Sequence, residues 1–247
     1  MCIRDRDEIK NEYCYINFTT GSTGKPKSVL GRHSSLAHLI DWEIKELKVD
    51  SNSKVSQLTT PSFGPYIRDI LVPLCSGGTV CIPKNREILL NSERLVEWVD
   101  KSQITILHMV PSLFRLFSEG AKNSDLLKSL KYIFLAGETL RGKDIKNFID
   151  LFKSRIQIIN AYGQTESSLI KLFYRVKECD TEKSIIPVGK PIDKTEILLL
   201  YKEMNICAHG EIGELYICSD YFSAGYYNDN TLTDSIFKKN PYKNLIN

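Results

Sequence analysis

Residues 17–30 read NFTTGSTGKPKSVL, and this stretch organises the interpretation of the whole chain. An apolar and aromatic run ends at Phe18 and gives way to glycines, hydroxyl residues and lysines before apolar residues resume. Glycines let the backbone approach an anion closely, while hydroxyls, backbone amides and lysines supply hydrogen bonds and positive charge. The composition favours a loop that binds polyphosphate, although plain surface loops use the same residue types.

The spacing of this loop differs from that of a P-loop, GxxxxGK followed by Ser or Thr. An alignment on Gly24 and Lys25 requires glycine at position 19 and a hydroxyl residue at position 26, whereas the chain has Thr19 and Pro26. Proline lacks an amide donor and disfavours helix in the residue before it, so a helix cannot begin at Lys25. Support for phosphate binding must therefore come from the rest of the chain.

Length and composition indicate an ordinary globular protein. The chain has 247 residues, of which 42% are hydrophobic and 26% are charged, with a net charge of +3. These values allow one large domain or two small ones and argue against partners such as nucleic acid or an anionic membrane. The seven cysteines show no metal-ligand spacing, and no apolar run approaches the ~20 residues of a membrane span. We therefore expect reduced thiols in a cytoplasmic protein.

Apolar runs alternate with amphipathic stretches through the first part of the chain. The predicted strands are 14–18, 54–58, 79–82, 104–109, 132–135 and 156–159. The predicted helices are 33–47, 68–75, 92–102, 111–119 and 142–152. This alternation is typical of an α/β fold with a mostly parallel sheet layered with helices, which binds ligands beyond the carboxyl ends of its strands.

The pattern changes after residue 166. Residues 167–176, 195–201 and 214–218 are predicted as strands with turns and no helices between them. We therefore predict three parts, which are a non-native or disordered start at 1–12, an α/β core at 13–185, and a smaller β-rich, distorted barrel-like subdomain at 186–247. The opening residues MCIRDR bear no relation to the pattern that follows and are excluded from fold reasoning.

Three further stretches follow strands and break into polar, glycine-containing sequence. They are LAGETL at 135–140, NAYGQTESS at 160–168 and GEIGELYICSDYFSAGYYND at 210–229. In the second stretch, Tyr162 offers a flat ring for a base and Glu166 a carboxylate suited to Mg²⁺. Each residue also has a structural explanation, since such a tyrosine is commonly buried and a Thr-Glu pair after a turn can cap a helix.

The motifs TTGSTGKPKS, AGE, NAYGQTE and GELYI with AGYYND, in this order, resemble the adenylate-forming (AMP-binding) superfamily. The resemblance is closer to the adenylation domains of non-ribosomal peptide synthetases and covers about residues 13–240. It implies that a carboxylic acid attacks the α-phosphate of ATP, forming an acyl-adenylate, and that the acyl group then passes to the phosphopantetheine thiol of a carrier protein. Positioning and charge neutralisation suffice for this displacement, so no protein nucleophile is required.

The resemblance also implies roles for individual residues. Cofactor-binding candidates, with Tyr162 stacking on adenine, are Thr20, Gly21, Ser22, Thr23, Gly24, Lys27, Gly137, Glu138, Asn160, Ala161, Tyr162, Gly163 and Thr165. The catalytic candidates are Thr165, Glu166 and Lys27, with Glu166 holding Mg²⁺. Candidates that line the acid pocket are Gly64, Pro65, Arg68, His108, Phe134, Ala136, Ala161, Leu169 and Ile170.

One departure from the family pattern concerns the substrate. Members that activate amino acids usually carry aspartate after this phenylalanine, where it pairs with the substrate ammonium, whereas here Gly64 follows Phe63. An unpaired ammonium in a partly dry pocket is costly. The substrate therefore lacks an α-amino group, as a hydroxy, keto or aryl acid does, or another acidic residue takes over. Arg68 and His108 suit an oxygenated or anionic substrate group, unless Arg68 pairs with Asp69 and His108 is a core histidine.

A second departure concerns the end of the chain. The family's ribose-binding aspartate, the hinge and the small C-terminal domain with its catalytic lysine are expected beyond residue 247. We therefore expect little acyl-adenylate formation by residues 1–247 alone, which pyrophosphate exchange would test. Two alternatives stay open: an acyl- or aryl-CoA ligase, with CoA as the acceptor, and a non-catalytic nucleotide-binding module.

Overall fold

The structure is a computed structural model that describes residues 12–19, 26–201, 205–240 and 242. The strands are β1 Tyr13–Thr19, β2 Lys27–Arg32, β3 Lys54–Ser56, β4 Thr79–Cys81, β5 Ile106–Met109, β6 Tyr132–Ala136, β7 Gln157–Tyr162, β8 Leu172–Arg175, β9 Lys190–Pro191, β10 Thr195–Leu200 and β11 Glu214–Ser219. The α-helices are α1 His33–Leu47, α2 Pro65–Cys75, α3 Ser92–Lys101, α4 Pro111–Gly120, α5 Gly142–Phe152 and α6 Asn230–Ile236. Short 3-10 helices occupy Arg86–Leu90, Lys153–Arg155 and Glu178–Glu182.

Seven strands form one large sheet in the order β4-β3-β5-β6-β7-β8-β9. The first five strands in this order pair in parallel, while β8 runs antiparallel to both β7 and β9. Neighbouring parallel strands end at the same edge of the sheet, so the residues that follow β5, β6 and β7 lie close together. The predicted α/β class with a mostly parallel sheet is confirmed.

Helices cover both faces of this sheet. Along β6, Ile133 packs with Phe114 of α4 and Phe148 of α5, whereas Phe134 packs with Trp42 of α1. The alternation follows from the two-residue period of a strand, which turns successive side chains to opposite faces. Burial of each large apolar side chain contributes about 2–3 kcal/mol to folding. Both faces of the sheet are therefore covered by apolar packing.

Most predicted elements are present, and several bounds differ. Helix α2 begins at Pro65 rather than at 68, because proline is preorganised for the first helical position. The strand predicted at 167–176 is wrong in its first part, where Ser168 and Leu169 adopt left-handed φ values of 61° and 73°. Strand β2 and helix α6 were not predicted, and the 3-10 helix at Glu178–Glu182 contradicts the expectation of no helix between the later strands.

The smaller sheets are antiparallel pairs, β1 with β2 and β10 with β11. The division near residue 185 stays a prediction, since β9 still belongs to the large sheet and the β10–β11 pair begins at Thr195. Across the described ranges, no helix combines the length and the apolar character needed to cross a bilayer.

Candidate functional site

The predicted phosphate loop connects two paired strands. Thr19 of β1 faces Lys27 of β2 in the antiparallel register, so Lys27 stands where the loop enters β2. The loop candidates that lie outside the described residues are Thr20, Gly21, Ser22, Thr23 and Gly24. A later segment lies alongside β2: Val29 pairs with Tyr226, and the Leu30 amide donates to the Gly225 carbonyl at 2.9 Å.

The AGE motif lies directly after β6, at the edge where the parallel strands end. Gly137 adopts a left-handed φ of +93°, which turns the chain away from the strand. The Glu138 carboxylate accepts hydrogen bonds from the Ser112 amide at 2.8 Å and the Ser112 hydroxyl at 2.7 Å. Glu138 therefore caps the first turn of α4, where its charge also suits the helix dipole. Its role in cofactor binding stays a prediction.

Asn160 is fixed at the end of β7. Its side-chain Nδ2 donates to the carbonyls of Pro187 at 2.9 Å and Ile186 at 3.3 Å, and the residue is 3% exposed. These bonds use the donor capacity of the amide and leave Oδ1 as an acceptor. An adenine amino group is a donor, so the remaining capacity of Asn160 suits the predicted contact with a base edge.

The turn after β7 is unusually tight. A Cβ added at Gly163 would overlap the Leu169 carbonyl oxygen, so this position admits only glycine without rearrangement of the turn. The Lys171 amide donates to the Tyr162 carbonyl at 2.9 Å and closes the turn. Tyr162 is half-buried, and its hydroxyl accepts from Gln164 at 3.2 Å. Tyr162 and the half-buried Thr165 are thus held on one reversed segment at the sheet edge.

Glu166 is anchored by both its main chain and its side chain. Its carbonyl accepts from the Ser223 hydroxyl at 2.7 Å, and its Oε1 accepts from the Tyr226 hydroxyl at 2.6 Å. Within the described ranges, no group of three His, Cys, Asp or Glu residues could hold a metal ion by itself. A magnesium ion that is also bound by nucleotide phosphates needs only one or two carboxylates. The other carboxylate oxygen of Glu166 has no hydrogen-bond partner among the described residues, so Glu166 fits that requirement.

The acid-pocket candidates gather around Phe134. Its ring centroid lies 5.2 Å from Cζ of Arg68 and 5.5 Å from the ring of His108. The candidates that share its apolar cluster are Ala136, Ala161, Leu169 and Ile170. Pro65 begins α2, which carries Arg68 toward the same cluster. The structure therefore brings these candidates together.

Space is limited at Gly64, the position that carries aspartate in the family pattern. A Cβ built there would lie 2.8 Å from Cδ2 of Leu169 and 2.9 Å from Nδ2 of Asn17. The Asn17 Nδ2 is buried and has no hydrogen-bond partner among the described residues. The space that an aspartate side chain would need at position 64 is therefore taken by the side chains of Leu169 and Asn17.

Arg68 and His108 belong to a buried charge cluster with Glu43 and Asp69. Arg68 Nη2 lies 2.8 Å from Oδ1 of Asp69, and its Nε lies 3.8 Å from Oε2 of Glu43. His108 Nε2 lies 2.8 Å from Oε1 of Glu43, and its Nδ1 lies 3.0 Å from Oδ1 of Asp69. The His108 contacts have ion-pair distances without the N–H···O alignment of hydrogen bonds. All four side chains are at most 4% exposed, so their charges must balance one another.

The pKa shifts are consistent with a balanced cluster. Burial and the nearby Arg68 oppose protonation of His108, yet Glu43 and Asp69 outweigh them, and the pKa of His108 is raised. Burial opposes ionisation of Asp69, but Arg68 and His108 favour it, and the pKa of Asp69 is lowered. Arg68 and His108 thus lie between the two acidic side chains, Glu43 and Asp69. The guanidinium and imidazole are therefore engaged by protein groups, and recognition of substrate by Arg68 and His108 stays a prediction.

Sequence reasoning missed two residues of these groups. Glu43 lies on the buried face of α1 with Leu36, Leu39 and Ile40. A charged residue at a position where the helical period expects an apolar one is a signal in the sequence that could have identified it. Tyr226 lies in the AGYYND motif, but its contact with Glu166 joins residues 60 positions apart. No local pattern in the sequence indicates that contact.

Comparison with known proteins agrees with the geometry. The sequence pattern of the family described as "AMP-binding enzyme" matches residues 4–227. L-2-aminoadipate reductase of Schizosaccharomyces pombe is 28% identical over 91% of this chain and 16% of its own length. Bacitracin synthase 3 of Bacillus licheniformis is 30% identical over 92% of this chain and 4% of its own length. The chain thus spans a small part of each relative.

Solved structures show the same fold. The N-terminal subdomain of Klebsiella oxytoca NpsA, in complex with 3-hydroxyanthranilyl-AMSN, has a TM-score of 0.80 at 27% identity, covering 94% of this chain and 58% of that one. NpsA-ThdA, an artificially fused adenylation–PCP di-domain, gives the same score and identity over 94% of this chain and 46% of that one. The chain belongs to the AMP-binding enzyme family of ATP-using, adenylate-forming ligases, and its homologues include adenylation domains of non-ribosomal peptide synthetases.

Proposed function

We propose that the edge formed by Lys27, Gly137 and residues 160–166 binds ATP with Mg²⁺ and serves to activate a carboxylic acid as an acyl-adenylate. The observation that carries this proposal is the junction at Tyr226. Its hydroxyl bonds to Glu166 at 2.6 Å, and its ring lies 5.6 Å from Nζ of Lys27. One side chain thus joins the strand that leaves the phosphate loop to the candidate metal ligand.

Each residue at this edge has a part in the proposal. Lys27 neutralises phosphate charge, the Tyr162 ring supports the adenine, and Oδ1 of Asn160 accepts from its amino group. Thr165 donates to the α-phosphate, and Glu166 holds the metal. Bound Mg²⁺ supplies additional positive charge beside the phosphates, where charge neutralisation favours the displacement.

The proposed acceptor of the acyl group is the phosphopantetheine thiol of a carrier protein. The adenylation–PCP di-domain NpsA-ThdA, which shares this fold at 27% identity, supports a carrier over free CoA. An acyl- or aryl-CoA ligase is the competing assignment. A thioester assay that offers holo-carrier protein and CoA side by side distinguishes the two acceptors.

Calorimetric titration of ATP with and without Mg²⁺ tests the nucleotide site in this chain. We expect wild type to bind ATP more tightly with Mg²⁺, and Glu166→Gln to lose that advantage by about 10-fold, because the carboxylate charge is removed. Glu119→Gln is the matched control, since Glu119 is exposed on α4. Absence of ATP binding by folded wild type would contradict the proposal, and an unchanged Mg²⁺ advantage in Glu166→Gln would remove Glu166 from it.

A more specific candidate for the substrate is a carboxylic acid without an α-amino group. The volume beside Gly64 is filled by Leu169 and Asn17, and the two acidic residues of the nearby cluster are paired with Arg68 and His108. None of these groups offers a free carboxylate to an ammonium. The aryl adenylate analogue named in the NpsA structure points in the same direction.

Two adenylate analogues that differ only in the α-amino group test this candidate. We expect the chain to bind phenylacetyl sulfamoyl adenosine at least as tightly as phenylglycyl sulfamoyl adenosine, because an unpaired buried ammonium is unfavourable. Competition against a fluorescent nucleotide measures both affinities. A clear preference for the phenylglycyl analogue would contradict the candidate.

A further inference from the structure

Tyr226 is held in place from two sides. Its amide donates to the Thr233 hydroxyl at 2.9 Å, and that hydroxyl donates to the Asp229 carbonyl at 2.8 Å in the first turn of α6. On the other side it pairs with Val29 of β2. The residue is only 6% exposed. A side chain fixed from both sides can hold another group in one orientation.

The group that Tyr226 holds is the Glu166 carboxylate. Ser223, three residues earlier, fixes the main chain of Glu166 through its hydroxyl at 2.7 Å and its amide at 3.2 Å. The Tyr226 hydroxyl then fixes the side chain through Oε1. One short segment thus determines both the position and the rotamer of Glu166.

The Tyr226 phenol donates its hydroxyl proton to Oε1 of Glu166 at 2.6 Å. A carboxylate oxygen that accepts this bond leaves the other oxygen for a cation. Nζ of Lys27, the first residue of β2, lies 5.6 Å from the centroid of the Tyr226 ring. This cation–π contact links β2 to the segment that holds Glu166.

We propose that Tyr226 is a positioning residue that holds Glu166 so that its second oxygen receives the Mg²⁺ of bound nucleotide. The inference rests on the proposed ATP site and deepens it. Partners that orient a metal ligand commonly change metal affinity by 10–100-fold when they are removed. Because nucleotide phosphates share the ion here, we expect the lower end of that range.

Tyr226→Phe is the direct test, since it removes the hydroxyl and keeps the ring beside Lys27. Tyr227→Phe is the matched control, because the neighbouring ring is 53% exposed. The readout is the ratio of ATP affinities with Mg²⁺ and with EDTA, together with Mn²⁺ binding to the ATP complex followed by electron paramagnetic resonance. Neither measurement requires turnover.

We expect Tyr226→Phe to reduce the Mg²⁺ advantage and the Mn²⁺ affinity by about 10-fold, with metal-free ATP binding unchanged, and Tyr227→Phe to match wild type. On the Glu166→Gln background, Tyr226→Phe should have no further effect, because it acts through Glu166. An unchanged Mg²⁺ advantage in Tyr226→Phe, or an equal loss on both backgrounds, overturns the inference.

Two arms separate this inference from the proposed function. If folded wild type binds no ATP, the proposed function fails first. If wild type and Glu166→Gln behave as proposed while Tyr226→Phe matches wild type, only the inference fails. Should Tyr226→Phe not fold, Ser223→Ala tests the same positioning through the main chain of Glu166, and an unchanged Mg²⁺ advantage in that variant overturns the inference.

Discussion

Two groups of charged side chains in this molecule contrast in how completely their charges are paired. In the buried cluster, Arg68 and His108 lie between the carboxylates of Glu43 and Asp69. At the sheet edge, Glu166 accepts one hydrogen bond from Tyr226 and keeps an oxygen for another partner. A closed, balanced set of charges stabilises the fold, whereas a carboxylate with spare capacity is able to bind a ligand.

The contrast changes how pocket residues are interpreted. Arg68 and His108 are the charged residues that the sequence offers for substrate recognition, yet both are engaged with carboxylates inside the protein. Glu166 is less buried, and among the described residues its carboxylate accepts a hydrogen bond through Oε1 alone. Four predictions test whether the two groups differ as described, beginning with the largest effect.

Removal of a cation from the buried cluster should have the largest effect. We expect Arg68→Met to lower the free energy of unfolding by roughly 3–5 kcal/mol, because two buried carboxylates are left with a single cation. Urea unfolding measures the change, and Arg94→Met on the exposed face of α3 serves as the control. A loss below about 1 kcal/mol would mean that the cluster is not a closed charge set.

The second-largest effect should come from a change in packing at the turn that carries residues 160–166. We expect Gly163→Ala to destabilise the protein by about 3 kcal/mol, since the added methyl overlaps the Leu169 carbonyl. Gly210→Ala is the control, because Gly210 has a φ of +89° but no atom within 4 Å of an added Cβ. Only backbone strain of about 1 kcal/mol is expected there. Equal losses in both variants would argue against the close approach at Gly163.

The pH dependence of stability should report on His108. Its pKa is raised in the folded protein, so its contribution is complete below about pH 6.5 and is lost as the pH rises through the folded value. We expect a decrease of roughly 1.4 kcal/mol for each unit of the shift. Unfolding at a series of pH values should show this decrease in wild type and in exposed His209→Gln, and a flatter profile in His108→Gln. Identical profiles in all three proteins would contradict the assignment.

The smallest effect on stability should come from a substitution of Glu166 at the sheet edge. We expect Glu166→Gln to change the free energy of unfolding by less than about 0.5 kcal/mol, because the Tyr226 hydroxyl can still donate to the amide oxygen. The same urea experiment measures it. A large destabilisation would place Glu166 with the structural charges and remove the contrast with Arg68.

Local patterns predicted the elements of the fold well. Both ends of α1 and α5 agree with the structure, because the apolar period and the flanking residues are encoded within each helix. Strand β2 was missed, since Lys27, Gly31 and Arg32 interrupt its apolar pattern and its partner β1 lies across a loop. The antiparallel turn at Ser168 and Leu169 was missed because it depends on contact with Gly163.

Long-range contacts limited the prediction of the site. Lys171 lies in the apolar run LIKLFY, and its Nζ reaches the Tyr221 carbonyl at 2.9 Å, 50 positions later. Burial lowers its pKa to about 8. The partner of Glu166 is 60 positions away. Motifs identified which residues gather at the edge, but the hydrogen bonds that orient them depend on how distant segments pack.

The strand pairing of residues 224–227 with β2 also bears on the order of folding. The β1–β2 hairpin is local in sequence and can form early, but its outer edge is completed only by a segment from the other end of the described chain. Contacts of such high sequence separation form late, because loop-closure entropy opposes them. During synthesis, this edge of β2 would therefore stay unpaired until residues 224–227 had been added to the chain.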